Sequence, residues 1–304
     1  MWAYRRITAG GSVPLHPFTY VAPRTLDEAV AVLEQHGERA RPFAGGTDVL
    51  VQLRGGRFDL DAIVDLKGVP EATSLDLNGS LRIGAAVPCY RIYEDSAVAA
   101  AFPGLIDAAS LIGGIQIQSR ASLGGNLCNA SPSADGICPL IVHSTVAVVQ
   151  GPQGERRVPV EEFCTAPGVN VLGRGELLVA LEVPAPARGF GAAYQRFIPR
   201  NEMDIAVAGV ASALTLSDDG ATIASGRIAL AAVGPTPLFA AKASAFLAGK
   251  PATPETFAEA GEIASTEATP IGDMRGTAEH RIELVKVLTR RTLAIALGRA
   301  QSNR

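Results

Sequence analysis

The sequence predicts an α+β protein built from two successive domains. Its 304 residues, 47% of them hydrophobic, are enough for two packed cores. The strand signals between residues 60 and 90 are short and do not alternate regularly with helices. Beyond a proline cluster at residues 184–186, strand signals are followed by a run of helix signals. Strands and helices segregated in this way are typical of an α+β fold.

Local signals mark the first elements. Thr25 and Glu28 form a capping box at the start of a predicted helix, which Gly37 ends. The apolar positions of this helix have helical spacing. They are Leu26, Ala29, Val30 and Leu33. Residues 40–43 then predict a short buried strand that leads directly into the glycine loop AGGTD at 44–48.

The middle of the chain changes to short strands and then to a small-residue-rich helix. The dipeptide Asn78-Gly79, between SLDL and SLRIGA, predicts a hairpin with a two-residue turn. Residues 96–114 predict a helix, and a second glycine loop, SLGGNLCNASPSAD, follows at 122–135. Further strands are predicted at 141–149 and 177–183.

The cluster Pro184-Ala185-Pro186, followed by Gly189 and Gly191, marks the predicted domain boundary. The chain beyond it carries strand signals first and helix signals afterwards, which predicts an antiparallel sheet with a helical layer. The strands are predicted at about 206–216 and 227–233, joined by a turn at 217–220, and the helices near 238–248, 254–268 and 277–298.

Composition excludes several classes of function. The formal net charge is -3 and the cationic side chains are scattered, which argues against nucleic-acid binding. No apolar stretch reaches the roughly 20 residues of a membrane span, so the expected location is cytoplasmic. The cysteines lack the spacing of a zinc or iron–sulfur site and are predicted to be buried reduced thiols. They are Cys89, Cys128, Cys138 and Cys164. We predict no metal ligand in this chain.

The two glycine segments are candidates for binding an anion. Consecutive glycines let main-chain N–H groups approach a phosphate without obstruction by a Cβ atom. One Gly-Gly pair is usually only a tight turn. Two such segments, each followed by hydrogen-bonding side chains, favour a phosphorylated ligand between them. Neither segment has the pattern of a Rossmann site or a P-loop, so another binding class is expected.

The motifs PFAGGTDVLVQLRGG at 42–56 and ASLGGNLCNASPSAD at 121–135 resemble, in order and separation, the paired FAD-binding motifs of the molybdenum hydroxylase flavin subunits. This is the family of xanthine dehydrogenase and aerobic carbon monoxide dehydrogenase. YQRFIPRNEMDIAVAG at 194–209 and GDMRGTAEHR at 272–281 are similar to that family's C-terminal domain. The resemblance covers roughly residues 15–299.

The resemblance implies a two-subdomain FAD-binding fold of the vanillyl-alcohol oxidase type, with a C-terminal domain of three-stranded antiparallel sheet and helices. The implied division is an N-terminal extension at 1–17, an FAD-binding domain at 18–186 with subdomains at about 18–70 and 71–186, a C-terminal α+β domain at 187–299, and a tail at 300–304.

The resemblance also implies which residues hold FAD. Main-chain N–H groups of the first segment are expected around the pyrophosphate, with the second segment facing them. These residues are Ala44, Gly45, Gly46, Thr47 and Asp48 in the first segment and Ser122, Gly124, Gly125 and Asn126 in the second. Asp135 would hydrogen-bond the flavin's sugar-alcohol chain, and Leu178 would contact the isoalloxazine ring. Arg196 would be a surface-facing cation near that ring.

Alternatives remain open for two of these positions and for three further residues near them. Asp135 could instead cap a helix that begins near Ile137, and Asp48 could stabilise its own turn. Tyr194 could stack near the flavin or be a core aromatic at a domain junction. Before the second motif, Gln118 and Ser119 stand where the family commonly has an Arg-Asn pair, which leaves open any subunit contact made there.

The implied function is electron transfer, with no catalytic side chain expected in this chain. The chain would be one subunit of a heterotrimer, in a dimer of heterotrimers, beside a large molybdopterin-binding subunit and a small [2Fe-2S] subunit. FAD would receive electrons from the clusters and pass them to NAD, a quinone or oxygen. The alternatives are a self-contained flavin oxidoreductase of the same fold and a non-catalytic nucleotide-binding module.

Overall fold

A computed structural model describes residues 17–200 and 203–304. The N-terminal extension expected at 1–17 therefore lies outside the described residues, apart from Pro17, and so do residues 201 and 202 of the third motif. Three sheets follow one another along the chain, and a small two-stranded sheet accompanies the second. In the described ranges, no helix has the length and apolar character to cross a membrane.

The first sheet is parallel, in the order β1-β3-β2. Its elements are β1 (Thr19–Val21), α1 (Leu26–His36), β2 (Ala40–Phe43), α2 (Val49–Arg54), β3 (Ala62–Asp65) and α3 (Pro70–Thr73). The predicted N-cap of α1 is confirmed, because Thr25 Oγ1 accepts a hydrogen bond from the Glu28 amide at 3.2 Å. The other half of the capping box is not formed as predicted, since the Glu28 carboxylate accepts a hydrogen bond from the Arg24 amide and not from the Thr25 amide. Gly37 ends the helix as predicted.

The second sheet is antiparallel, in the order β4-β5-β10-β6-β7. Its strands are β4 (Leu75–Asn78), β5 (Ser80–Gly84), β6 (Val146–Gly151), β7 (Gly154–Pro159) and β10 (Leu177–Val183), and β8 (Cys164–Ala166) and β9 (Val169–Asn170) form the small sheet. The helices of this part are α4 (Cys89–Glu94), α5 (Ser96–Ala101), α6 (Pro103–Ala109), α7 (Ile115–Gln118), α8 (Leu123–Asn129), α9 (Ile137–Val142) and α10 (Val160–Phe163). The strand predicted at 177–183 is confirmed.

Three local predictions in this part were wrong in detail. Asn78 pairs with Ser80, so only Gly79, with a φ of +76°, lies between the paired strands and the turn is shorter than the two residues predicted. The helix predicted at 96–114 is broken before Pro103, which has no N–H group to continue a helix and instead begins the next one. The start of the strand predicted at 141–149 belongs to α9, and the strand begins only at Val146.

The third sheet and the last helices form the C-terminal part. The sheet is antiparallel in the order β11-β12-β13-β14, with β11 (Phe190–Phe197), β12 (Ala208–Leu216), β13 (Ile223–Ala231) and β14 (Leu238–Phe239). Three long strands are present as expected, and β14 adds a two-residue edge. The helices are α11 (Ala241–Leu247), α12 (Pro254–Glu267) and α13 (Ala278–Ser302), and α13 packs against the sheet.

Polar contacts join the C-terminal sheet to the second part of the chain. Arg299 on α13 holds Asp107 on α6 with both guanidinium nitrogens, at 2.6 and 2.9 Å, and also bonds the Ala192 carbonyl. The Tyr194 amide donates to the same Asp107 carboxylate at 3.0 Å. These bonds fix strand β11 and helix α13 against α6.

Candidate cofactor site

The first glycine segment is a turn between β2 and α2 that presents free main-chain donors. Gly46 has a φ of +75°, a conformation that favours glycine. Within the described residues, no hydrogen bond is donated by the N–H groups of Gly45, Gly46, Thr47 or Asp48. Lys67 Nζ binds the Ala44 carbonyl at 3.0 Å and the Asp65 carboxylate at 2.6 Å. The turn is therefore held through a carbonyl while consecutive amides stay available to an anion.

The two glycine segments are in direct contact. A Cβ atom on Gly45 would lie 1.8 Å from the Arg120 carbonyl oxygen and 3.0 Å from the Ala121 nitrogen. Only glycine allows this approach, which brings the first segment against the residues that precede Ser122. Gln52 on α2 also donates to Asn129 on α8 at 2.9 Å. The structure thus brings together two segments separated by more than 70 residues.

The second segment is the start of a helix, so the loop predicted at 122–135 was wrong for residues 123–129. Ser122 is the N-cap of α8 and accepts a hydrogen bond from the Gly125 amide at 3.0 Å. In the described part of the chain, the amide of Gly124 has no acceptor. A helix leaves its first amides without partners of their own within the helix. A free donor therefore lies at this helix start, which adjoins the first segment.

The two glycines of this helix have different surroundings. A Cβ atom on Gly124 would lie 2.5 Å from the Ala85 carbonyl oxygen, so this glycine serves packing against the β5 end. A Cβ atom on Gly125 would contact only Ser122 Oγ, at 3.1 Å. Asn126 turns inward, and its side-chain oxygen accepts a hydrogen bond from the Gly136 amide at 3.0 Å. Gly125 is thus the position with open space in front of it.

Asp135 lies in a buried polar cluster with two residues of β11. The Tyr194 hydroxyl donates to Asp135 Oδ1 at 2.8 Å, and Arg196 Nη1 donates to Oδ2 at 2.5 Å. The Arg196 side chain is only 5% exposed, so the expectation of a surface-facing cation was wrong. Its period-two spacing from Tyr194 puts both side chains on one face of the strand. Tyr194 is buried in the core at the domain junction, which agrees with the second of the two alternatives given for it.

Burial controls the electrostatics of Asp135. It raises the pKa of this carboxyl to about 6, while the Arg196 guanidinium and the Tyr194 hydroxyl act in the opposite direction. The N-cap position of α9 is Gly136, and no side chain caps that helix, so the helix-cap alternative for Asp135 is not supported. The buried Arg196 Nε has no partner within the described residues.

The other predicted positions have less distinctive surroundings. Leu178 is 3% exposed in the core cluster on β10, so its contact with the isoalloxazine ring stays a prediction. Asp48 is exposed at the start of α2 and makes no capping bond. Gln118 is buried and bonds Tyr93 and the Ser110 carbonyl. Lys67 and Gln52 were missed by sequence reasoning, because a single Lys or Gln outside a motif carries no recognisable signal.

The cysteines make no disulfide among the described residues. Cys89 and Cys138 are buried as predicted, whereas Cys128 and Cys164 are half-buried. Burial raises the pKa of each thiol, to about 12 for Cys89 and Cys128 and to about 11 for Cys164, which makes the thiols unreactive. The residues that the structure describes contain no group of three or more His, Cys, Asp or Glu side chains arranged to hold a metal ion.

Fold and site together define a two-subdomain nucleotide-binding protein in which glycine segments from both subdomains face each other, followed by an antiparallel α+β domain. Comparison with known proteins identifies the class. Residues 16–186 match the family described as "FAD binding domain in molybdopterin dehydrogenase", and residues 192–296 match "CO dehydrogenase flavoprotein C-terminal domain".

Curated relatives match over nearly their whole length. The xanthine dehydrogenase FAD-binding subunit of Escherichia coli O157:H7 is 32% identical over 285 residues, which is 93% of this chain and 97% of that protein. The carbon monoxide dehydrogenase medium chain of Hydrogenophaga pseudoflava is 32% identical over 283 residues, covering 93% and 98%. These comparisons show that the chain belongs to the family of FAD-binding medium subunits of molybdenum hydroxylases, which are oxidoreductases.

Solved structures agree. A carbon monoxide dehydrogenase chain from Hydrogenophaga pseudoflava superposes with a TM-score of 0.89 at 32% identity, covering 94% of this chain and 99% of that one. Quinoline 2-oxidoreductase from Pseudomonas putida 86 gives a TM-score of 0.86 at 29% identity, covering 96% and 99%. The α+β fold class and the two-subdomain FAD-binding fold of the vanillyl-alcohol oxidase type are therefore confirmed.

FAD is the cofactor of this family, and the residues present fit it. A dinucleotide needs main-chain donors for its pyrophosphate, and the turn at 44–48 and the adjoining start of α8 supply free amides. Gly45 allows the two segments to approach each other, and Gly125 leaves the space at the start of α8 without a Cβ atom. The buried, unpartnered Arg196 Nε is a donor that a bound ligand can satisfy.

Proposed function

We propose that this chain is the electron-transfer subunit of a heterotrimeric molybdenum-dependent hydroxylase. FAD, when bound, supplies the chemistry of accepting and passing on electrons, and the protein supplies binding, orientation and the polar surroundings. In this function the chain accepts electrons from [2Fe-2S] clusters of a small subunit. It passes them to an external acceptor, which is NAD, a quinone or oxygen.

The contact between the two glycine segments is the observation that carries this proposal. Residues Ala44, Gly45, Gly46, Thr47 and Asp48 would surround the pyrophosphate from one side, and Ser122, Gly124, Gly125 and Asn126 from the other. The Gly45 contact with Arg120 brings these two sets of residues together. We keep the division into subdomains at about 18–70 and 71–186 and a C-terminal domain at 187–299.

The remaining residues would hold the flavin half of the cofactor. Asp135 accepts a hydrogen bond from a hydroxyl of the sugar-alcohol chain, Leu178 contacts the ring, and Arg196 keeps a positive charge close by. The expected partners are a large molybdopterin-binding subunit and the small [2Fe-2S] subunit, assembled as a dimer of heterotrimers in the cytoplasm. The hydroxylation itself takes place on the large subunit.

The identity of the released flavin tests the cradle. We expect heat-denatured protein to release FAD and not FMN, because a pyrophosphate is needed to use donors from both glycine segments. The measurement is chromatography of the flavin in the supernatant. FMN as the only flavin would contradict the pyrophosphate assignment and with it the role of the two segments.

The division of labour provides a second test. The isolated chain should hold a flavin that dithionite reduces, yet oxidise no hydroxylase substrate, and electron delivery from substrate to flavin should appear when both partner subunits are added. The measurements are flavin absorbance and substrate turnover, with and without the partners. Turnover by the chain alone would favour the self-contained flavin oxidoreductase instead.

A further inference from the structure

Strand β11 of the C-terminal part reaches into the FAD-binding part through Tyr194. This side chain is 3% exposed and belongs to the core cluster that contains Leu123 and Leu127 of α8. Its hydroxyl donates to Asp135 Oδ1, and its main-chain amide donates to Asp107, which Arg299 also holds. Tyr194 is therefore anchored at both ends between the two parts of the chain.

Asp135 is tied to the second glycine segment by its neighbour. The Gly136 amide donates to the Asn126 side chain, one residue after Gly125 in α8. The position of the Asp135 main chain thus follows that of the helix start. The direction of its carboxylate, however, is set by residues from β11, since Tyr194 holds Oδ1 and Arg196 holds Oδ2. Each oxygen of an ionised carboxylate has two lone pairs and can accept one more hydrogen bond.

We propose that Tyr194 is a positioning residue for FAD, which keeps the Asp135 carboxylate directed toward the sugar-alcohol chain of the cofactor, so that the C-terminal domain completes the binding site of the domain before it. The inference rests on the proposed FAD site. It gives Tyr194 a role through its hydroxyl, and not as a ring that stacks on the flavin or as a purely apolar core residue. The ligand class is a polyol hydroxyl that donates to the free lone pairs of Asp135.

Gly209 provides an independent sign of this arrangement. It lies on β12 opposite Arg196, and a Cβ atom at this position would lie 2.7 Å from the Tyr194 hydroxyl oxygen. The glycine leaves room for the hydroxyl to reach Asp135. Gly209→Ala should therefore move the hydroxyl away from the carboxylate without removing it.

The arrangement predicts a pH dependence of FAD binding. The groups that face Asp135 are Tyr194 and Arg196 from β11 and Cys138 from α9, whose thiol is neutral because burial raises its pKa well above the ordinary value. With the pKa of Asp135 raised to about 6, the carboxylate is present above this pH and is lost as the pH falls through it. A hydroxyl that donates to the carboxylate should then bind less tightly at the lower pH.

The test is a titration of the flavin-free full-length chain with FAD, followed by flavin fluorescence, at pH values below and above about 6. Tyr194→Phe should weaken FAD binding by about two- to tenfold near neutral pH, the usual effect of losing one hydrogen bond. The fall in affinity should begin at a higher pH than in the wild type, since the carboxylate loses a donor. Gly209→Ala should change affinity and pH profile in the same direction.

Two comparisons separate positioning from stability. Tyr93→Phe removes another tyrosine hydroxyl, from a partly buried side chain that bonds the neutral Gln118 side chain, and should leave FAD affinity unchanged. In an Asp135→Asn background, Tyr194→Phe should have no further effect on affinity. Equal losses in both backgrounds, or a lower melting temperature with an unchanged pH profile, would overturn the inference. Failure of the wild-type chain to bind FAD would instead overturn the proposed function on which it rests.

Discussion

Replacing Gly125 by valine is expected to weaken FAD binding by about tenfold or more and to give largely colourless protein, with no loss of stability in the unliganded chain. A Cβ atom here contacts only Ser122 Oγ, at 3.1 Å, so a small shift of that side chain accommodates the valine, which then occupies the open space at the start of α8. Valine also has a higher helix propensity than glycine. The measurements are the ratio of flavin to protein absorbance and the affinity of the flavin-free chain.

Two other glycine variants serve as controls for Gly125→Val. Gly124→Val should destabilise the protein even without FAD, because its Cβ atom would lie 2.5 Å from the Ala85 carbonyl oxygen. Gly298→Val, on α13 with no atom within 4 Å of its Cβ, should change neither property. Melting temperatures must be compared without flavin, since a bound ligand stabilises the folded state by itself. Full FAD occupancy in Gly125→Val would show that the segment is only a helix start.

Elements with strong local signals were predictable from the sequence. The N-cap at Thr25, the stop at Gly37 and the apolar run of β10 depend on neighbouring residues alone, and the structure confirms them. The second glycine segment was predicted as a loop because two adjacent glycines disfavour a helix. The helix forms there because Ser122 caps it and its first turn packs against the β5 end, where only glycine fits.

Within the candidate site, motif residues were predictable but their partners were not. The main-chain donors follow from the glycine segments, which have a recognisable pattern. Lys67 holds the Ala44 carbonyl, and Tyr194 holds a carboxylate 59 residues away, which no local pattern reveals. The burial of Arg196 was missed because arginine is exposed by default, and only a carboxylate brought beside it by the fold makes burial tolerable.

Replacing Arg196 by alanine is expected to lower the free energy of unfolding by about 3–5 kcal/mol at a pH where Asp135 is ionised. The guanidinium is 5% exposed and 2.5 Å from Asp135 Oδ2, so its removal leaves a buried carboxylate with the Tyr194 hydroxyl as its remaining side-chain partner. Urea denaturation of the flavin-free chain measures this loss.

The pH dependence of this loss identifies its cause. Burial already raises the pKa of Asp135 to about 6, and loss of the guanidinium should raise it further. The carboxyl is neutral below its folded-state pKa, so the destabilisation should be small at low pH and grow as the pH rises through that pKa. Arg196→Ala combined with Asp135→Asn should recover most of the stability, because no charge is then buried alone.

The matched control is Arg200→Ala, which removes a side chain that is 69% exposed and should lower the free energy of unfolding by about 1 kcal/mol at most. A loss that is independent of pH and remains in the double variant would mean that Arg196 contributes through packing and not through its charge.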